Sequence, residues 1–434
     1  MIRQPAQPPA TRPIAVVSHT LPGDPNGQAV MLDRLTARAS GQGFVCIDTD
    51  RKAHVRAVRD NWLASVPLPT PAVLRKCYRL PWAHLHLYHL LVRHRSRAIA
   101  RIVRQHGCQS IVTCTGGDLI DLPAAVEAGR LTGVPTFLYY FDDYQIQWTM
   151  PGGRWSREAA DALRDVAEAI SLDRCAGVFV PNEHLARVVE TRTTKPVSVI
   201  RNPVDTSAYR ALRSQFPRRP LDPSRSLSIV YTGSVYAAQA DCLQRLCDAV
   251  ALLKDQGVHL EVHVLGPPPE PRTANLLPID AITWHPAVST SEAAVAQVQA
   301  DILFLPLSFT CEFPELIRTS APGKFGEYLA SGTPLLVHTP ADAFPHSFVT
   351  EHACAATCGV PESRALASAL ADLIAQSSVC EAMRQRAIDL AEEFALDVNR
   401  ERFIQLASAT PDRRAAPTPA AGSRRVRERR GRNS

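Results

Sequence analysis

The stretch that decides the fold is Ser320-Ala321-Pro322-Gly323-Lys324-Phe325-Gly326-Glu327-Tyr328-Leu329-Ala330-Ser331-Gly332-Thr333-Pro334-Leu335. Pro322 cannot continue a preceding helix but suits the opening turn of a new one, so a helix is expected over Gly323–Ser331. Apolar runs flank it, Ile302–Pro306 before and Leu335–His338 after, and the small residues Ala330, Ser331 and Gly332 require close packing against a strand. Strand, helix, strand is the unit of a parallel sheet. The start of that helix presents free N–H groups and a positive dipole end, which attract a diphosphate. Lys324 stands in this first turn, where a cation opposes the dipole, and that misplacement points to an anionic ligand. Glu327 lies one turn further on the same face, and a carboxylate that accepts two hydrogen bonds suits the vicinal hydroxyls of a ribose.

Outward from this stretch the same alternation fills the chain twice. In the first half, strands are expected at Pro13–Ser18, Phe44–Asp48, Ser110–Cys114, Thr136–Phe141, Gly177–Pro181 and Val197–Arg201, with helices between them. The pattern restarts at Ser228–Thr232 and continues through His259–Leu265, Ile282–Trp284, Ile302–Pro306 and Leu335–His338. A chain of 434 residues suits two α/β domains of roughly 180–200 residues each. The expected division is a flexible 1–13, a Rossmann-like 14–203, a second Rossmann-like 204–390, a helix 391–410 packing back toward the first domain, and a disordered Arg-rich tail 411–434. Asn202–Pro223, rich in Pro and Arg, reads as the linker. Ligands of open parallel sheets lie beyond the carboxyl ends of the strands, so two facing sheets make one cleft.

At 45% apolar and 21% charged residues the composition is that of a globular protein. Met1–Pro13 lacks the apolar run of a signal peptide, and no stretch reaches the roughly 18 apolar residues of a spanning helix. The 11 cysteines are scattered and fit buried thiols in a reducing cytoplasm. The tail holds eight arginines against Asp412 and Glu428, a net +6 equal to the formal charge of the whole chain. It carries no base-reading element, so anionic lipid is a better expected partner than a specific nucleic acid. A second basic region, residues 61–117, contains no acid but has Arg75, Lys76, Arg79, Arg93, Arg95, Arg97, Arg101 and Arg104. Trp82, Leu85, Leu91, Ile99, Ile102 and Val103 interleave with these, as in a helix lying on an anionic interface. A surface helix whose apolar side faces the domain core is the competing reading.

The 320–334 string resembles the donor-site signature of GT-B glycosyltransferases, in particular glycosyltransferase family 4, written S-x-P-x-K-x-x-E-Y-L-A-x-G-x-P. Ile200-Arg201-Asn202-Pro203-Val204-Asp205, Tyr231-Thr232-Gly233-Ser234 and Ala300–Ser308 support the likeness, which covers roughly residues 14–408. The resemblance implies an α/β GT-B fold and transfer of a sugar from a nucleoside diphosphate to a glycan or lipid-linked acceptor, with retained anomeric configuration. It also implies work in cell-envelope polysaccharide or glycoconjugate synthesis, at the cytoplasmic face of a membrane. Lys324, Gly233, Ser234 and Gly27 would hold the diphosphate and Glu327 the ribose. No metal or cofactor is expected, because cationic protein groups serve the phosphates.

Departures from the pattern shape the remaining expectations. Thr319 stands where many members carry a second glutamate, with Glu312 and Glu315 off register. Ser234-Val235-Tyr236 replaces the Arg and Lys often found there, leaving Lys324, the helix start and the Thr232–Ser234 amides, with Arg318 in reserve. Gly23–Gly27 reads as a glycine loop that admits a ligand. The first domain lacks the family's histidine at Gly116-Gly117-Asp118, so Asp118 or Asp143 becomes the expected contact to sugar hydroxyls or acceptor, with structural capping as the alternative for both. His19 is a further possible site residue, whereas His84, His86 and His89 read as interfacial or core. Two other functions fit the same shape: a nucleotide-sugar epimerase, distinguished by release of free nucleoside diphosphate without an acceptor, and a donor-binding scaffold, distinguished by binding without turnover.

Overall fold

The computed structural model describes residues 11–24, 26–36, 41–50, 62–68, 81–148 and 157–409. Most of the 1–13 segment, the basic residues Arg75, Lys76 and Arg79, and the 411–434 tail lie outside the described residues, as do the side chains of Trp82, His84, Leu85 and His86.

Two all-parallel sheets form the molecule. The first contains β1 (Ile14–Ser18), β2 (Phe44–Asp48), β3 (Trp62–Pro67), β4 (Ser110–Cys114), β5 (Thr136–Tyr139), β6 (Gly177–Val180) and β7 (Val197–Val199), in the order 3-2-1-4-5-6-7. The second contains β8 (Leu227–Thr232), β9 (Leu260–Leu265), β10 (Ile282–His285), β11 (Ile302–Pro306), β12 (Leu335–His338) and β13 (Ala356–Cys358), in the order 10-9-8-11-12-13. Central strands such as β1, β4 and β11 are buried at every residue, which is why they read as unbroken apolar runs. Strand order reverses between β1 and β4 and again between β8 and β11, giving each sheet a crevice at its switch point.

Two elements differ from the sequence reading. β3 lies inside the acid-free segment and pairs with β2. The stretch read as a linker contains the helix Thr206–Gln215, whose first turn is capped by Asp205 accepting from the Ala208 amide at 3.0 Å.

The chain crosses between the halves twice, and the crossings lie side by side: the Val204 amide donates to Phe394 O and the Leu396 amide to Val204 O, both at 2.8 Å. Arg201 braces them, with its guanidinium over the rings of Phe344, Phe348 and Phe394 and paired with Glu183 and Glu393. The helix Leu396–Ser408 then returns to the first sheet, where the fully buried Phe403 packs among Phe44, Tyr139 and Phe179. The ten described cysteines are free thiols, nine of them buried.

Candidate active site

The helix Gly323–Ser331 begins after Pro322 with no side-chain cap, so its first N–H groups are left for a ligand or water. It ends at Gly332, whose φ of +64° terminates it in the left-handed region. Phe325, Tyr328 and Leu329 are buried, while Lys324 and Glu327 are partly exposed.

Lys324 lies against the β8 crevice, its Nζ 3.7 Å from the centre of the Tyr231 ring. Gly233 makes that approach possible: its φ is +109°, and a Cβ there would stand 3.0 Å from the Lys324 ammonium. Burial pulls Lys324 down to about 7, with the Glu327 carboxylate acting in the opposite direction. A diphosphate would reverse this by supplying counter-charge.

The loop amides are less available than the sequence implied. The Thr232 amide donates to Tyr328 Oη at 2.9 Å and the Gly233 amide to Leu265 O at 2.7 Å. Gly233 therefore leaves room for the Lys324 side chain. Arg318 is not in reserve, because Glu315 and Asp342 hold it at the surface. Thr319 is buried, its hydroxyl donating to Glu315 O and its carbonyl accepting from Asn182 Nδ2 at 2.8 Å, so no carboxylate occupies that position.

Glu327 is gripped from the opposite half. Arg34, on the helix Gly27–Thr36, donates through Nη2 to Glu327 Oε1 at 2.6 Å and through Nη1 to Pro203 O at 2.7 Å. Gln297 Nε2 stands 3.4 Å from the other carboxylate oxygen. No feature of the local sequence marks Arg34 or Gln297.

In the first half, Gly27 has open space where a side chain would be, consistent with close approach of a ligand. Asp24 and Asn26 tie down the preceding loop, the first accepting from the Leu21 amide and the second from the Ala29 amide. His19 packs against Gly116, where a Cβ would lie 2.5 Å from its ring.

Both aspartates expected to contact sugar are corrected. Asp118 is 1% exposed and sits in the core beside Tyr88 and Tyr144, its own amide donating to Asp121. Asp143 is 3% exposed, caps the short helix Tyr144–Gln147 and forms a two-pronged pair with Arg192 at 2.8 Å on each oxygen. Capping, the alternative reading, describes Asp143. The carboxylate left over is Asp142, beyond the end of β5, which has no hydrogen bond or ion pair among the described residues. Burial, then the neighbouring Asp143 charge, raise it to about 6. Among the described residues no group of three His, Cys, Asp or Glu could hold a metal ion.

The basic region forms the helix Pro81–Gln105. Leu91, Ile99, Ile102 and Val103 are buried in the first half, so they are not available to enter a membrane. Arg95 is buried and paired with Asp121, which corrects its reading as a surface charge. Arg93, Arg97, Arg101 and Arg104 are exposed. Together with Arg130 and Arg174 on neighbouring helices, Arg93 and Arg97 border a groove of about 520 Å³ over Val92, Leu131 and Ile170. Among the described residues no helix is long and apolar enough to cross a membrane.

Residues 226–376 match the family model for glycosyl transferases group 1. No curated protein matches the chain. Among solved structures, α,α-trehalose 6-phosphate synthase from Burkholderia multivorans is 14% identical with a TM-score of 0.61, over 92% of this chain and 98% of its own. A glycosyltransferase from Rickettsia africae is 10% identical with a TM-score of 0.59, over 92% and 98%. Anabaena HepE, solved in complex with UDP, is 12% identical with a TM-score of 0.56, over 91% and 98%. At such identities the structural likeness establishes the fold alone, and the family match is confined to the second half. The chain has the GT-B fold, and its residues 226–376 match the model for glycosyl transferases group 1.

Proposed function

We propose that the protein transfers a sugar from a nucleoside diphosphate to an acceptor hydroxyl, with retention, in the synthesis of a cell-envelope glycoconjugate. The observation that carries this reading is Lys324 at the β8 crevice, against a glycine that leaves it room and one turn before Glu327. The leaving nucleoside diphosphate gains negative charge as the glycosidic bond breaks. Lys324 and the uncapped helix start stabilise that charge in a fixed site, which is electrostatic preorganisation. Asp142, beyond the end of β5, is a carboxylate with capacity left to accept from a sugar or acceptor hydroxyl. A panel of nucleoside diphosphates and their sugars, read by thermal shift, tests donor binding; the UDP bound to HepE makes UDP the first member. Lys324→Ala is expected to weaken diphosphate binding about 10- to 100-fold, as for loss of a charged hydrogen bond, while nucleoside binding stays near wild type. Equal losses for both ligands would reject the assignment.

The same reading extends to work on a lipid-borne acceptor at the cytoplasmic membrane face. Support comes from the exposed arginines of the Pro81–Gln105 helix, whose apolar side is already used, so contact with anionic lipid is electrostatic. Reversing Arg93, Arg97 and Arg101 together should weaken salt-sensitive pelleting with anionic vesicles even when residues 411–434 are deleted. Equal pelleting with neutral vesicles would favour a soluble acceptor.

A further inference from the structure

We infer that Arg34 is a positioning residue for the nucleotide ribose, holding the Glu327 carboxylate from the opposite side of the cleft. The inference rests on Glu327 being the ribose acceptor. Arg34 belongs to the helix that follows β1, and its guanidinium forks between two fixed acceptors: Glu327 Oε1 at 2.6 Å and the main-chain oxygen of Pro203 at 2.7 Å. Its own carbonyl accepts from Arg400 Nε at 3.0 Å, so the backbone that carries it is tied to the Leu396–Ser408 helix. Both charged side chains are largely removed from water, at 19% and 14% exposure.

On the far side of the carboxylate, Gln297 is fully buried and fixed by Tyr209 and by Thr232 Oγ1, the latter at 2.9 Å. Glu327 is thus held at one oxygen by a cation and faced at the other by an amide. A carboxylate offers about four acceptor directions, and these contacts leave room for two hydroxyl donors. Removing Arg34 frees the carboxylate to turn and leaves Lys324, already committed to the phosphate side, as its nearby cation. A lysine at this position could not span both acceptors, because the planar fork of arginine is what reaches Pro203 and Glu327 together. The donor's ribose is therefore read by both halves of the molecule.

Titration calorimetry of the full chain with UDP, GDP and ADP and their 2′-deoxy counterparts tests this, using wild type, Arg34→Ala, Arg34→Lys, Arg34→Gln and Glu327→Gln. Wild type should prefer its ribonucleotide by about tenfold or more, the scale of a hydrogen bond to a charged group. Arg34→Ala should lose most of that preference by weakening the ribonucleotide alone, and Arg34→Lys should recover part of it. If Arg34→Ala does not fold, loss of preference in Arg34→Gln supports the role of Arg34 equally. Retained preference in these variants, or tighter ribonucleotide binding, would overturn the inference, the latter by showing that Arg34 competes for the ribose position. Glu327→Gln separates the two levels. Where it loses preference and Arg34→Ala does not, only the role of Arg34 fails; where it keeps full preference, the ribose assignment fails first.

Discussion

The two crevices of this molecule are built alike and differ in how their charges are handled. At the second, beside β8, Lys324 has no side-chain anion in direct contact among the described residues, and its ammonium is pulled down to about 7. At the first, acids stand near the ends of β4 and β5, yet Asp143 is closed off by Arg192 and Asp118 is buried with Asp121 and Arg95 close by. A charge held ready for a ligand and a charge spent on the fold can look identical in sequence. The distinction lies in whether a counter-charge arrives from a distant part of the chain.

The comparison breaks most visibly at Asp143. Asp143→Ala should destabilise the protein by about 1.5–3 kcal/mol, the scale of hydrogen bonds to a charged group, with Arg192 keeping Glu168 as its remaining partner. Denaturant unfolding measures this; a loss below about 1 kcal/mol, with activity abolished, would return Asp143 to the active site. Asp142 should behave in the opposite way. Asp142→Asn is expected to lower kcat/KM about 10- to 100-fold through a lost charged hydrogen bond, while thermal stability at pH 7.5 holds or rises. Its folded pKa lies above the ordinary carboxylate value, so ionised Asp142 costs stability above about pH 6, and that cost is relieved as pH falls. A drop in both stability and rate would make Asp142 another structural acid. The smallest effect sharpens the second crevice. Because Lys324 loses its proton above about 7 in the free protein and a diphosphate favours the charged form, binding takes up a proton. Affinity should fall about tenfold per pH unit above that point, and Lys324→Arg, always charged, should flatten the profile. A flat wild-type profile from pH 7 to 8.5 would show that Lys324 is already fully charged.

What was legible in the sequence follows the same division. The sheets declared themselves through buried apolar strands and the turns between them, and the 320–335 helix carried its boundaries in Pro322 and Gly332. That Lys324 and Glu327 share one helix, a turn apart, was readable because helical spacing alone sets that relation. The sequence reading settles on Asp143 and passes over Asp142, since the residue that distinguishes them is Arg192, about fifty positions away. Arg95 was misread for a similar reason: its partner Asp121 lies across a helix pair, outside any local pattern. β3 escaped notice because it has only a short apolar run, within a segment dominated by its basic charge.

The Leu396–Ser408 helix gives the molecule a sequence of completion that its domain plan does not suggest. Phe403 closes a core whose other members, Phe44, Tyr139 and Phe179, are synthesised far earlier. A chain emerging from the ribosome therefore carries the first sheet with one face open until its closing helix arrives, after the entire second sheet has been made. The half that begins the protein is the half that is finished last, and until then its exposed aromatic face must be kept from other chains.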